Sequence, residues 1–200
     1  RISEQAILKL LLDKLLEPLI EFVYTSLKHV MFVMKCSVIA SILKIIDCFL
    51  KPWRETKEVI PDDRMERMVV YGVMWGMGGI LELDERKKLD QHLRAVSSQV
   101  PGSGTTDVCF DFRLDDKGMW LNWSTAVIPW EYPQTKSEIK FAEILLPTTD
   151  SVRYQFLMNL LVPKGNPVLV VGASGVTKSS TVNQFLMTLD PEKHVKKSVP

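Results

Sequence analysis

A strand–loop–helix unit in the last fifth of the chain constrains its fold more than any other stretch. Pro167-Val168-Leu169-Val170-Val171 is a short apolar run of the kind that forms a buried parallel strand. Gly172-Ala173-Ser174-Gly175-Val176-Thr177-Lys178-Ser179 follows it, and Ser180 to Met187 reads as a helix. A strand, a glycine-bearing loop, a Lys-Ser pair and a helix make up the setting that a phosphate-binding P-loop requires. One position departs from the pattern: Thr177 stands where a second glycine is expected.

The chemistry expected of these residues is specific. A nucleotide triphosphate needs many donors around its phosphates, and a loop between strand and helix supplies successive backbone N–H groups at the positive end of the helix dipole. Gly172 and Gly175 allow the tight turn. Lys178 reaches the β- and γ-phosphates, and Ser179 offers its hydroxyl to Mg²⁺. The expected cofactors are ATP or ADP with Mg²⁺, held by Gly172, Ala173, Ser174, Gly175, Val176, Thr177, Lys178 and Ser179. At Thr177 a β-branched side chain hinders close approach if the backbone needs a positive φ, but its N–H donor remains.

The 200 residues suffice for one large or two small domains. An apolar content of 46 % supports a core, and a net charge of +1 gives no electrostatic case for nucleic acid or an anionic membrane as partner. Cys36, Cys48 and Cys109 contain no Cys-x-x-Cys pair and read as reduced thiols. The chain begins at Arg1 and ends at Pro200, which reads as a piece of something longer. Charged residues inside the apolar region 7–23 leave one apolar face, so that region reads as an amphipathic packed helix and not a membrane span.

Three textures follow one another. Ile2 to about Arg94 is helical. Its first apolar run includes Leu8, Leu11, Leu12, Leu15, Leu16, Leu19 and Ile20. A second, Val38 to Leu50, is ended by Pro52. A third, Met65 to about Leu81, contains Gly72, Gly76, Gly78 and Gly79, which permit close helix packing and then a stop near Gly79. Leu83 opens a fourth helix, with acidic residues near its start. Residues 99–106 are a loop. Val108 to Arg113, the turn at Asp115 to Gly118, and Met119 to Trp123 form a β-hairpin. Pro129 to Pro133 is extended between prolines. From Lys140 the texture becomes α/β, with a helix from Ser151 to about Leu161 capped by Thr149 or Asp150. The fold class is therefore mixed α and α/β.

Other chemistry is poorly supported. His29, His92 and His194 are isolated, with no ligand spacing for a metal. No Gly-x-Ser-x-Gly elbow surrounds Ser174, Ser179 or Ser180. No basic residues interleave with Trp120, Trp123 and Trp130, so these read as packing residues and not as a base-stacking platform.

The run Phe141 to Tyr154, the strand Pro167 to Val171 and the Gly-x-Ser-Gly-x-x-Lys-Ser loop together resemble the start of the third AAA+ module of a dynein heavy chain. Val69 to Gly79 with Asp84 to Asp90 is similar to the helical stretch after the second module, and the hairpin with Val127 to Tyr132 is similar to the connection between modules. The resemblance covers essentially the whole chain. It implies a helical lid of the second module at residues 1–94, a linker with a β-hairpin at 95–136, and the N-terminal part of the third module's large subdomain at 137–200.

A loop of this type, without the second glycine, looks more like axonemal than cytoplasmic heavy chains. The resemblance thus implies a piece of an ATP-driven, minus-end-directed microtubule motor of cilia or flagella, in which the third module binds nucleotide and regulates release from the microtubule. The implied partners are the rest of the heavy-chain ring and, through the parent complex, microtubules and intermediate and light chains. The adenine would lie near Leu146 to Val152. Val176-Thr177 and Ser179 depart from the more usual Thr-Ala and Thr, which is compatible with binding and weighs against hydrolysis. Walker B carboxylates, sensors and the arginine finger are expected outside these residues, so the piece alone is not expected to hydrolyse ATP. Two alternatives stand beside this reading: an unrelated P-loop NTPase, and a helical interaction module whose P-loop is degenerate.

Overall fold

The computed structural model describes residues 2–129, 146–175 and 177–194. It divides into two compact units, Arg1–Asn122 and Trp123–Pro200.

The first unit is built around one buried helix. Its helices are α1 (Ile2–Ser26), α2 (Lys35–Thr56), α3 (Asp62–Gly78) and α4 (Leu83–Val96). In α3, Met65 and every residue from Met68 to Gly78 are buried, so this helix has no solvent face along most of its length. It packs against α1, α2 and α4. In α1 the buried residues Leu11, Leu15, Leu19 and Val23 recur every fourth position, the stripe expected of a helix lying on a core. Four such side chains contribute roughly 6–12 kcal/mol. That outweighs the cost of about 3 kcal/mol for the proline at position 18 inside the helix. Among the described residues no helix is long and apolar enough to cross a membrane.

Two glycines set how closely α2 and α3 approach. A Cβ on Gly76 would lie 2.3 Å from Ile42 Cγ1 and 3.2 Å from the Ile42 backbone; one on Gly72 would lie 2.6 Å from Ile46 Cγ1. The glycine spacing read from the sequence is therefore a packing face. The helix stops at Gly79, as expected, and Arg86 Nε of α4 donates to Gly78 O at 2.8 Å while its guanidinium lies over Trp75 and Phe110. The second helix differs from expectation. It runs through Pro52 to Thr56, because an exposed proline in the last turns sacrifices its own N–H bond without blocking a helix already held by Phe49 and Leu50 in the core.

A buried ion pair fastens the chain after α4. Asp90, 1 % exposed, receives Arg94 Nε at 2.9 Å and Nη2 at 3.0 Å, and accepts from the Cys109 N–H at 2.7 Å. Arg94 also donates to Pro101 O at 2.6 Å and Gly102 O at 2.7 Å. One carboxylate and one guanidinium thus hold the chain at Pro101, Gly102 and Cys109. The hairpin that follows is shorter than expected. Cys109–Asp111 forms a 3₁₀ turn, η1, before β1 (Phe112–Leu114), which pairs antiparallel with β2 (Trp120–Asn122) in the register Phe112–Asn122, Arg113–Leu121 and Leu114–Trp120. The η1 turn puts Cys109 and Phe110 next to each other in the core, which an alternating strand could not do. Arg67 of α3 reaches the hairpin turn and Gln99, and Trp120 Nε1 donates to Gln99 O at 2.9 Å.

The second unit contains a 3₁₀ turn η2 (Trp123–Ala126), α5 (Thr149–Leu161), a 3₁₀ turn η3 (Val162–Lys164) and α6 (Lys178–Thr188). Trp123 begins η2 and does not continue the hairpin strand. Its ring is buried and meets Phe156 of α5 edge-on at 5.3 Å. The cap of α5 is Thr148, not Thr149 or Asp150: Thr148 Oγ1 accepts from Ser151 N and Ser151 Oγ accepts from Thr148 N, a reciprocal box that fixes the first turn. The expected extended segment at Pro129 to Pro133 lies outside the described residues from Trp130 onward, as does Phe141 to Leu145.

The expected buried strand Pro167 to Val171 is not formed. These residues are irregular, and Val168, Leu169 and Val171 are exposed. Among the described residues no strand lies beside them, and a parallel strand exists only through pairing on its edges. The β1–β2 hairpin is the sole sheet of the described residues.

Three outcomes test this packing. Gly76→Ala should cost about 1–3 kcal/mol in a denaturant titration, and Ile42→Ala in the same chain should recover part of it; equal costs in both backgrounds would remove the α2–α3 contact from the account. Asp90→Ala should cost about 3–5 kcal/mol, since it leaves Arg94 and the Cys109 amide without their partner. Cys36 is exposed, whereas Cys48 and Cys109 are buried, and burial, reinforced by the Asp90 charge, pushes the Cys109 thiol well above its ordinary pKa. A thiol reagent should therefore modify Cys36 alone in the folded chain and all three cysteines after unfolding.

Candidate functional site

The site is set by the packing of α6 on α5. Thr181 and Phe185, one helical turn apart, are the buried residues of α6; Met158 and Arg153 are those of α5. Gln155 Nε2 donates to Gln184 Oε1 at 2.6 Å across the pair. This contact fixes the direction of α6 and hence where its N-terminus points.

Before that N-terminus the backbone turns through the left-handed region twice. Gly175 has φ +82° with open space around it, and Thr177 has φ +54° and ψ +15°. Of the two glycines expected to make the turn, only Gly175 is in the positive-φ region. Thr177 makes the second turn despite its branched side chain, a conformation that costs a non-glycine residue about 1–2 kcal/mol. Val176 lies outside the described residues.

Thr177 is also the N-cap of α6, yet its side chain makes no capping hydrogen bond. Threonine at that position ordinarily bonds the second or third amide of the helix from an extended backbone, and the left-handed conformation gives this up. Its carbonyl is held instead: Thr181 N donates to Thr177 O at 3.0 Å and Thr181 Oγ1 donates to it at 3.1 Å. The N-terminus of an 11-residue helix thus opens without a side-chain cap onto a pocket of about 390 Å³ lined by Ser174, Gly175, Thr177, Lys178, Ser179 and Ser180.

Lys178 is the cation of this pocket. Its Nζ donates to Gly172 O at 2.9 Å and Ala173 O at 2.5 Å, joining the start of the loop to the start of the helix. Ser179 is exposed in the first turn of α6 and lines the same pocket. The structure brings Ser174, Gly175, Thr177, Lys178 and Ser179 together, with Gly172 and Ala173 tied in through the lysine. Among the described residues no group of histidine, cysteine and carboxylate side chains could hold a metal. His92 stacks on Phe22 and His29 Nε2 donates to Val23 O. Sequence reading passed over Thr181. Its signal was the placement of a hydroxyl residue four positions after the off-pattern Thr177, where it can bond back to that carbonyl.

Comparison with known proteins places the sequence in a family. The profile described as "Dynein heavy chain AAA lid domain" matches residues 8–125. The chain belongs to the dynein heavy-chain family. A second profile, "P-loop containing dynein motor region", matches residues 133–200, which include the whole of the loop and α6. The "Dynein gamma chain, flagellar outer arm" of Chlamydomonas reinhardtii is 32 % identical over 191 residues, covering 94 % of this chain and 4 % of that protein. "Dynein axonemal heavy chain 8" of Mus musculus is 30 % identical over 98 % of this chain and 4 % of its own length. "Dynein axonemal heavy chain 1" of Homo sapiens is 27 % identical over 90 % of this chain and 5 % of its own length. The chain therefore spans about 4 % of the length of the first curated relatives it matches. The resemblance read from the loop, the lid helices and the hairpin is the family found by comparison. The unrelated P-loop NTPase and the helical interaction module with a degenerate P-loop are not favoured. Within this dynein heavy-chain sequence the lid profile covers α2 to α4 and the hairpin in full, and the P-loop profile covers α5 and α6.

Replacing Thr177 in this dynein chain by glycine should raise stability by about 1 kcal/mol, because glycine adopts the left-handed turn without strain. Thr177→Val should show no gain. The measurement is the shift of the denaturant midpoint, and a destabilised glycine variant would contradict the strain at Thr177.

Proposed function

We propose that residues Gly172 to Ser179 are the nucleotide-phosphate site of the third AAA+ module of an axonemal dynein heavy chain, with residues 1–94 as the lid of the preceding module, 95–136 as the hairpin-bearing connection and 137–200 as the opening of the third module's large subdomain. The observation that carries this is the uncapped N-terminus of α6 facing a pocket that contains Lys178. Such a terminus concentrates partial positive charge and unsatisfied N–H donors, and a phosphate group supplies what they lack.

The residues present fit ATP or ADP with Mg²⁺. The amides of the loop and first helical turn bind the phosphate oxygens. Lys178 would exchange its two carbonyl partners for phosphate, whose anionic oxygens attract the ammonium more strongly than neutral carbonyl oxygens do. Ser179, which lines the same pocket, would offer its hydroxyl to the cation. By the family resemblance, the adenine would be held near residues 146–152. The residues that line the pocket, Ser174, Gly175, Thr177, Lys178, Ser179 and Ser180, would bind and orient a nucleotide. In the parent protein this site acts as a regulatory nucleotide site of a minus-end-directed microtubule motor, working with the rest of the heavy-chain ring and, through the parent complex, with intermediate and light chains in the axoneme. The axonemal and flagellar names of the relatives support that setting.

A fluorescent ATP analogue tests the site. Lys178→Ala should weaken its binding about tenfold or more, the loss of a charge-assisted bond to phosphate. Equal affinity in the variant would remove the phosphate assignment.

A further inference from the structure

The loop depends on a conformation that its own residue disfavours, and something must hold it there. Thr177 sits at φ +54° and ψ +15° with no capping bond from its side chain. Left alone, a β-branched residue moves to negative φ. Two hydrogen bonds converge on its carbonyl, one from the Thr181 amide at 3.0 Å and one from the Thr181 hydroxyl at 3.1 Å. The amide bond is the ordinary first bond of a helix. The hydroxyl bond is additional, and its donor cannot swing away freely, because Thr181 is 8 % exposed and belongs to the buried face of α6.

We propose that Thr181 is a positioning residue for phosphate binding, acting through the Thr177 carbonyl to keep the strained left-handed turn populated. The inference rests on the phosphate-site reading of the preceding section and goes beyond it. It assigns a role to a residue outside the eight-residue loop and explains how the loop tolerates threonine in place of glycine. When a binding-competent conformation is only fractionally populated, the apparent dissociation constant rises by that fraction. Loss of the Thr181 hydroxyl lets Thr177 leave the left-handed region in part of the molecules, and the loop residues that precede it, Ser174 and Gly175, then turn away from the pocket that they line with the first turn of α6. With glycine at position 177 the turn is free of strain and the hydroxyl is dispensable.

The test is a double-mutant cycle in the intact protein, read by titration with N-methylanthraniloyl-ADP and counting only the signal that Lys178→Ala removes. Thr181→Val, which keeps the side-chain volume, should weaken binding about three- to tenfold. Thr181→Ser, which keeps the hydroxyl, should stay within about twofold of the parent. In the Thr177→Gly background the effect of Thr181→Val should fall to less than about twofold. A purely packing role for Thr181 predicts the same loss in both backgrounds, and that result, or an unchanged affinity for Thr181→Val, overturns the proposal. A complete lack of Lys178-dependent signal in the parent protein overturns the phosphate-site reading first, which distinguishes the two failures.

Discussion

The close contact of α3 with α2 is the constraint on which the first unit depends. Gly76 and Gly72 let Ile42 and Ile46 approach to distances that no side chain on α3 would allow. With that contact made, α3 becomes the axis of the unit, and α1, α4 and β1 pack around it. A helix buried along most of its length leaves no face to water, which explains why its residues are almost all Met, Val, Tyr, Trp and Gly from position 68 onward. The polar fastenings lie at its ends: Arg67 ties its first half to the hairpin turn, and Arg86 closes its last carbonyls. Asp90 and Arg94 do the same for the loop that leads to the hairpin.

In the second unit the governing feature is the direction of one helix. Packing of Thr181 and Phe185 on α5 aims the N-terminus of α6, and the left-handed turns at Gly175 and Thr177 bring the chain to it without a side-chain cap. Electrostatics then follow from geometry. The first turn of α6, its helix dipole and Lys178 converge on one pocket.

Local signals were legible in the sequence, and signals that depend on distant partners were not. The four helices of the first unit were readable because apolar spacing and the stop at Gly79 are encoded within each helix. The glycines of α3 were readable as a packing face, though not which isoleucines they would meet. The family was legible from the loop and the lid together. Pro52 misled, since proline's effect near a helix end depends on how firmly Phe49 and Leu50 are anchored elsewhere. The strand at Pro167 to Val171 was read from composition, but strand formation requires a neighbour, and composition says nothing of one. At the site, Lys178 and Ser179 were visible by spacing. The left-handed state of Thr177 was foreseen as a condition, and the Thr181 hydroxyl that holds it was hidden, because a threonine inside a helix looks like any other.

If α6 presents its open N-terminus and Lys178 to a nucleotide's phosphates, a bound diphosphate must sit against the first turn of that helix. A cryo-EM map of the intact protein in saturating Mg²⁺ and ADP tests it most directly. Diphosphate density should lie against the backbone of residues 174–179, with Lys178 Nζ moved from the Gly172 and Ala173 carbonyls onto phosphate oxygen. An empty loop with Lys178 still bonded to those carbonyls would contradict it.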